Sequence, residues 1–284
     1  MLLGLGSALG FGLADLFGAV SSRRVGVPQT ILIIQALGAA VLTLVLLTPA
    51  AGSLSPNFGV RLAIVAGGTL GIGSYFSFFR ALKLGPVAIV SPVFASYGAI
   101  TVILSVVFNG ERLSALAVVG IALTIGGVAL ASARGGEGER AARGGGIPFA
   151  LMAMVAWGVA SYLLGRAAQQ TGWFFPLYGA RLAELVGAVA VAIFLGARGA
   201  FGPRPGERSV LIACASGMAD NAGVAAFVRG SQLGLVSITS AVSASFPLVV
   251  IAGSLILFGE RPSPRQWVGI TSAIFGLILL GIGQ

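Results

Sequence analysis

The side chains able to bind a charge or move a proton are few, and they divide sharply by surroundings. Of the eight acidic residues, Glu111, Glu137, Glu139, Glu207 and Glu260 fall between hydrophobic runs, whereas Asp15, Glu184 and Asp220 fall inside them. Arg181 also lies inside a run, three residues before Glu184, a spacing that puts both side chains on one face of a helix. Such a pair neutralises itself and so lowers the cost of burying either charge. It also has a sharper use: the forked guanidinium of Arg181 is suited to a substrate carboxylate, with Glu184 as the internal counter-ion displaced on binding. Asp15 and Asp220 are the candidate proton-coupling groups, because a carboxyl group at membrane depth is expensive and is turned toward a cavity or a partner.

Tyr75, Tyr97, Trp157, Tyr178 and Asn221 complete the candidate substrate-binding residues, together with Ser240 from a stripe of hydroxyls at Ser237, Ser240 and Ser243. The same stripe serves equally as a close helix-packing surface. Pro92 and Pro247 remove backbone donors inside apolar runs and, with Gly98, which a repeat offset described below aligns with Pro247, mark kinks that serve either as hinges or as fixed bends for packing. With no His and the single Cys214, the sequence offers neither imidazole chemistry nor a thiolate cluster, so no metal or cofactor is expected. A GxxxxGK[ST] phosphate loop is missing too, which argues against a primary pump.

The elements that position these residues are read from composition. Of 284 residues, 57% are hydrophobic and 9% charged, against about a quarter charged in an ordinary soluble domain. That excludes a conventional soluble enzyme and points to lipid as solvent. Ten apolar runs are long enough to cross the hydrocarbon core: Leu2 to Val20, Thr30 to Leu47, Leu62 to Phe79, Val87 to Phe108, Leu113 to Ala133, Ile147 to Ala168, Phe174 to Leu195, Ser209 to Val228, Leu235 to Phe258 and Pro264 to Ile282. The first lacks a charged leader and reads as a retained span, not a cleaved signal peptide. The net charge of +9 comes from arginines scattered through short loops, which set membrane orientation instead of forming a nucleic-acid face.

A glycine-rich charged linker, residues 134–146, separates five spans (1–133) from five (147–284). Laid on residues 229–281 at an offset of 149, residues 80–132 match at 20 of 53 positions, including Arg80 with Arg229, Ser91 with Ser240, Gly110-Glu111-Arg112 with Gly259-Glu260-Arg261, and Ser114 with Ser263. Five is odd, so the second copy enters the membrane from the opposite side. The expected fold is an all-α integral membrane protein of ten transmembrane helices in two inverted five-helix repeats, an architecture that places a binding site between the repeats near the midplane. The paired Gly-Glu-Arg turns read as structural caps: glycine for a positive-φ helix end, Ser114 and Ser263 for the next helix start.

The pattern AL-x-LGP-x-A-x-V-SP at Ala81 to Pro92, an apolar helix ending in Gly110-Glu111-Arg112-Leu113, and its second copy from Gly230 to Arg261 resemble the EamA-type repeat of the drug/metabolite transporter superfamily. The resemblance covers essentially the whole chain. It implies a secondary carrier of small metabolites, amino acids or related amphiphiles among them, acting at the cytoplasmic membrane, often as an exporter. Asp15 is similar in place to the embedded acid in the first helix of the small multidrug branch, with Asp where that branch has Glu. The expected partners are a small-molecule substrate, the lipid bilayer and protons, and no nucleic acid. An intramembrane enzyme would need a nucleophile, base or metal cluster at depth, for which only Asp15, Glu184 and Asp220 are available; a membrane scaffold or receptor would not need the buried charges. Counted by loop, four Lys and Arg lie on the side of the termini and twelve on the other, so the positive-inside rule places both termini outside.

Overall fold

The computed structural model describes residues 1–48, 56–84, 87–132, 145–199, 201, 205–258 and 263–282. Among these, all regular structure is helical. The first half contributes α1 (Leu2–Val25), α2 (Val27–Leu46), α3 (Phe58–Leu84), α4 (Val87–Ala95), α5 (Tyr97–Asn109) and α6 (Ala115–Ser132). The second contributes α7 (Gly146–Thr171), α8 (Phe174–Ala197), α9 (Glu207–Leu233), α10 (Val236–Ser243), α11 (Pro247–Phe258) and α12 (Pro264–Ile282). Seven helical stretches are long and apolar enough to cross a membrane, and three shorter apolar helices cover Val93–Asn109, Ala115–Ala131 and Pro264–Leu280. Large side chains such as Phe58, Val186 and Ile193 point outward, as they do where the outer solvent is hydrocarbon. The linker at 134–144 and the Gly259-Glu260-Arg261 turn lie outside the described residues.

Two expected spans are not continuous helices. The run from Val87 to Phe108 breaks at Ser96, between α4 and α5, while the backbone passes through Pro92 as helix. The run from Leu235 to Phe258 breaks over Ala244-Ser245-Phe246, and Pro247 starts α11, the position where its missing donor costs nothing. At the offset of 149, Ser96 matches Ser245, so the two breaks coincide. Where the breaks meet, a Cβ on Gly98 would sit 2.8 Å from the Ala244 Cβ; the crossing needs glycine there.

The most extensive packing is between the halves. α1 lies along α9, and α3 along α7; α2 packs on both α8 and α9, and α3 on α8; α6 pairs with α12. α4 and α5 lean on α7, and α10 and α11 on α1. Exchanging each span with its counterpart five places along maps this pattern onto itself. Residues obey the same exchange: a Cβ on Gly120 would meet the Gly276 carbonyl at 2.9 Å and one on Gly276 the Gly120 carbonyl at 2.7 Å, while Gly127 and Gly269 do likewise at 2.7 Å each way. Gly120 and Gly269 are 149 apart, as are Gly127 and Gly276. The tight turns match too: Gly26 (φ 94°) and Gly172 (φ 84°) end α1 and α7 in a backbone region where only glycine is unstrained, and their N–H groups donate to Ser22 and Ala168 carbonyls.

The Gly110-Glu111-Arg112 turn shows what its residues do. Gly110 adopts the left-handed conformation (φ 65°) that closes α5, and the Ser114 hydroxyl accepts from the Ala117 N–H at 3.1 Å to cap α6. The Glu111 carboxylate reaches across to another helix, accepting from the Val236 and Ser237 N–H groups (3.0 and 3.1 Å) and from the Ser237 hydroxyl. It caps the start of α10, where a negative charge meets the positive end of the helix dipole. Ser263 and Gln266 form a reciprocal capping box at the start of α12.

Candidate functional site

The buried charges converge where α2, α3, α8 and α9 meet. Arg181 is 1% exposed. Its Nη1 lies 3.0 Å from Glu184 Oε2 and donates to Gln35 Oε1, and its Nη2 donates to Asp220 Oδ2 at 2.9 Å. The Tyr75 hydroxyl donates to the other Asp220 oxygen at 2.6 Å. Glycines make the room: a Cβ on Gly71 would collide with the Glu184 carboxylate, and one on Gly38 with the Asn221 amide and the Arg181 Cδ. Arg181 and Gln35 occupy equivalent places in α8 and α2 at an offset of 146, as do Glu184 and Gly38. The Arg181–Gln35 hydrogen bond therefore joins a residue to its own counterpart.

Beside this network lies a cavity of about 40 Å³, room for roughly three waters. Its wall carries the carboxyl groups of Asp15 and Asp220, the hydroxyls of Ser74, Tyr75 and Ser216, and a set of aromatic rings that includes Trp157. Asp15 Oδ2 is buried without a hydrogen-bond partner. Arg181 and Glu184 stand behind Asp220 and are not on the wall. Two carboxylates, Glu184 and Asp220, thus share the Arg181 guanidinium, and a third, Asp15, stands on the nearby cavity wall outside that pairing. With all three ionised the region carries two uncompensated negative charges, an arrangement tolerated at membrane depth only if protons or a cationic ligand complete the balance.

The other candidate residues are distributed around this centre. Tyr97 is fully buried; its hydroxyl donates to Ser243 Oγ at 3.2 Å and its ring packs against Phe94 and Trp157, behind the cavity wall. Asn221 Nδ2 donates to the Gly217 carbonyl at 2.7 Å, leaving Oδ1 without a partner beside Arg181. Tyr178 is not brought to the cavity: it stacks on Phe174 with ring centroids 5.6 Å apart and shares a 3.2 Å hydrogen bond with Thr43. Ser240 is fully buried with no partner for its hydroxyl and lies off the wall, near Gly98. Its stripe is used in contacts between helices, with Ser243 at 2.6 Å from Ser7 and Ser237 bonded to Glu111.

Sequence reasoning missed most of the wall. Phe11, Phe78, Phe79, Phe94, Phe246, Ser74 and Ser216 were not among its candidates. Two signals were there to be read: Phe11 lies one turn before Asp15 on the same helical face, and residues 74–79 (SYFSFF) concentrate aromatics in the middle of a span.

The model of the EamA-like transporter family matches residues 1–133 and 144–282. The chain belongs to the EamA-like transporter family. As such it is a multi-pass membrane transporter of the drug/metabolite superfamily, a family of transporters rather than enzymes. A solved structure described as "Crystal structure of protein" is similar with a TM-score of 0.75 and 22% sequence identity, over 99% of this chain and 96% of that one. At that identity the likeness concerns the fold. No curated protein matches the chain. For an EamA-like transporter the central cavity, walled by helices from both halves, is the natural candidate for the substrate site.

Proposed function

We propose that this chain is a secondary carrier that exports small metabolites across the cytoplasmic membrane by alternating access, coupled to protons through Asp15 and Asp220. The two halves, 1–133 and 147–284, act as inverted five-span repeats. The exchange pattern of helix contacts, the coincident breaks at Ser96 and Ser245, and the hydrogen bond between Arg181 and its counterpart Gln35 all support a two-fold relation between them. Broken helices α4/α5 and α10/α11 cross beside the cavity and are the elements able to bend without disrupting the long bundle helices. Pro92, Gly98 and Pro247 flank those breaks. The cytoplasm faces the loops that carry twelve Lys and Arg, leaving both termini outside.

The observation that carries the reading is the surplus of carboxylates over guanidinium around a cavity shared by both halves. A fixed structural ion pair needs no third acid. In this reading Asp15, with a buried unpartnered oxygen, exchanges a proton for a substrate, and Asp220, bonded to Arg181, couples that exchange to Arg181 and Glu184. The test is flux in proteoliposomes with and without a pH gradient, for the wild type, Asp15→Asn and Asp220→Asn. Gradient-driven accumulation lost in both variants supports coupling; flux that ignores the gradient and survives both substitutions refutes it.

A further inference from the structure

Resting on the carrier reading above, we propose that the substrate is an organic ammonium cation with an apolar body and no carboxylate, held within a ring of aromatic side chains against Asp15. The rings form a closed circuit. Phe11 meets Trp157 edge-on at 6.0 Å, Trp157 meets Tyr75 at 5.6 Å, and Tyr75 stacks on Phe79 at 6.5 Å. Phe79 contacts Phe78 at 5.9 Å, Phe78 stacks on Phe94 at 4.2 Å, and Phe94 reaches Phe246 at 6.0 Å, which returns to Phe11 at 6.5 Å. All seven line the same cavity as Asp15 and Asp220. Aromatic faces around a carboxylate are the arrangement that recognises an alkylammonium, because ring quadrupoles and the acid both favour positive charge while the rings take up its apolar surface.

The wall also says what is refused. Among the described residues, the only charged groups on it are the acids Asp15 and Asp220. The nearest cation, Arg181, lies behind Asp220 with both terminal nitrogens committed to Gln35, Glu184 and Asp220. A substrate carboxylate would find no free cation and two acids of its own sign, so zwitterions and anions are disfavoured. Between the acids, Asp220 has both oxygens engaged, one by Tyr75 and one by Arg181, whereas Asp15 Oδ2 has none. Asp15 is the group that takes the cation. Asp220 and Tyr75 face it across the cavity, with Arg181 and Glu184 behind Asp220 and Tyr97 behind Trp157. Binding of one monovalent cation releases one proton from Asp15 to the open side, leaving the charge of the site unchanged. Phe94 and Phe246 sit at the two helix breaks, so bending there parts the ring and widens a cavity that is small as it stands.

The experiment uses the full chain with Trp173→Phe and Trp267→Phe, which leaves Trp157 as the reporter within the ring. Hexyltrimethylammonium, leucine and glutamate are titrated while its emission is followed, and flux of each is measured in proteoliposomes. The expected result is a saturable response to hexyltrimethylammonium, weakened about tenfold or more by Asp15→Asn and regained in Asp15→Glu, with no response to the other two. Should Asp15→Asn not fold, Phe246→Leu opens the ring without touching charge and is expected to weaken binding by about threefold or more. The inference is overturned if the cation gives no saturable response, if it binds the substituted proteins as tightly, or if leucine or glutamate binds as well. Cation binding without any flux refutes the carrier and leaves the site; driven flux of leucine or glutamate without cation binding refutes the substrate class and leaves the carrier.

Discussion

Replacing Arg181 with Gln tests the central network most directly. Arg181 is 1% exposed and is the sole cation within contact of Glu184 (3.0 Å) and Asp220 (2.9 Å) among the described residues. Removing one partner of a buried pair costs about 3–5 kcal/mol, because the remaining charge is stranded without its counter-ion. Here two carboxylates are stranded at once, and Gln35 loses its donor. For a chain of this size each kcal/mol moves the thermal midpoint by roughly 2–4 °C, so Arg181→Gln should lower the midpoint in detergent by about 10 °C or more. The triple variant Arg181→Gln, Glu184→Gln, Asp220→Asn removes all three charges together, with isosteric amides at 184 and 220 and a shorter amide at 181. It should recover part of that loss, since no buried charge is then left without its counter-ion. Tryptophan emission and monodispersity followed against temperature read both. A single substitution that shifts the midpoint by less than about 2 °C, or a triple variant no better than the single one, would refute the assignment of Arg181 as the counter-ion of both acids.

Three further outcomes follow from particular contacts. Tyr75→Phe keeps the ring and deletes only the 2.6 Å donor to Asp220; it should cost about 1–3 kcal/mol and alter proton-driven flux, and unchanged stability with unchanged flux would remove Tyr75 from the network. Glu111→Gln weakens the cap on α10, with a loss of about 1 kcal/mol concentrated in faster amide exchange at Val236 and Ser237; uniform exchange across the bundle would contradict the cap. A reporter at the C-terminus that fluoresces only in the cytoplasm should stay dark, and emission from it would reverse the orientation.

The long apolar helices were legible because a helix in lipid must be apolar over a fixed length, and the similarity of the two halves of the sequence because polar and glycine positions repeat at 149. The interruption of the fourth and ninth spans was only half legible. Proline marked both runs, yet Pro92 sits within continuous helix and the break falls at Ser96, where α5 must turn to bring Gly98 against Ala244. That constraint belongs to a helix 146 residues away. Glu111 read as a turn residue and is one, but its partner is the start of α10, which no local pattern announces. The aromatic circuit was hidden for the same reason: its members come from α1, α3, α4, α7 and the break before α11, and a single phenylalanine in a span carries no sign of facing a cavity instead of lipid.

The repeat built the frame, and departure from the repeat built the site. Where the halves remain alike, as at Gly26 and Gly172 or Gly120 and Gly269, the residues serve turns and close packing. The network draws on places where they differ. Arg181 and Glu184 stand in α8 where α2 has Gln35 and Gly38, and these counterparts are what the charged pair uses: Gln35 accepts from the guanidinium, and Gly38 clears the space for its stem. A symmetric pair of arginines at this contact would place two like charges together at membrane depth, a cost that one Gln removes. Restoring symmetry should therefore be worse than losing the charge: Gln35→Arg is expected to fold less stably than Gln35→Ala, and the opposite order of thermal midpoints would show that α2 and α8 do not meet through this pair.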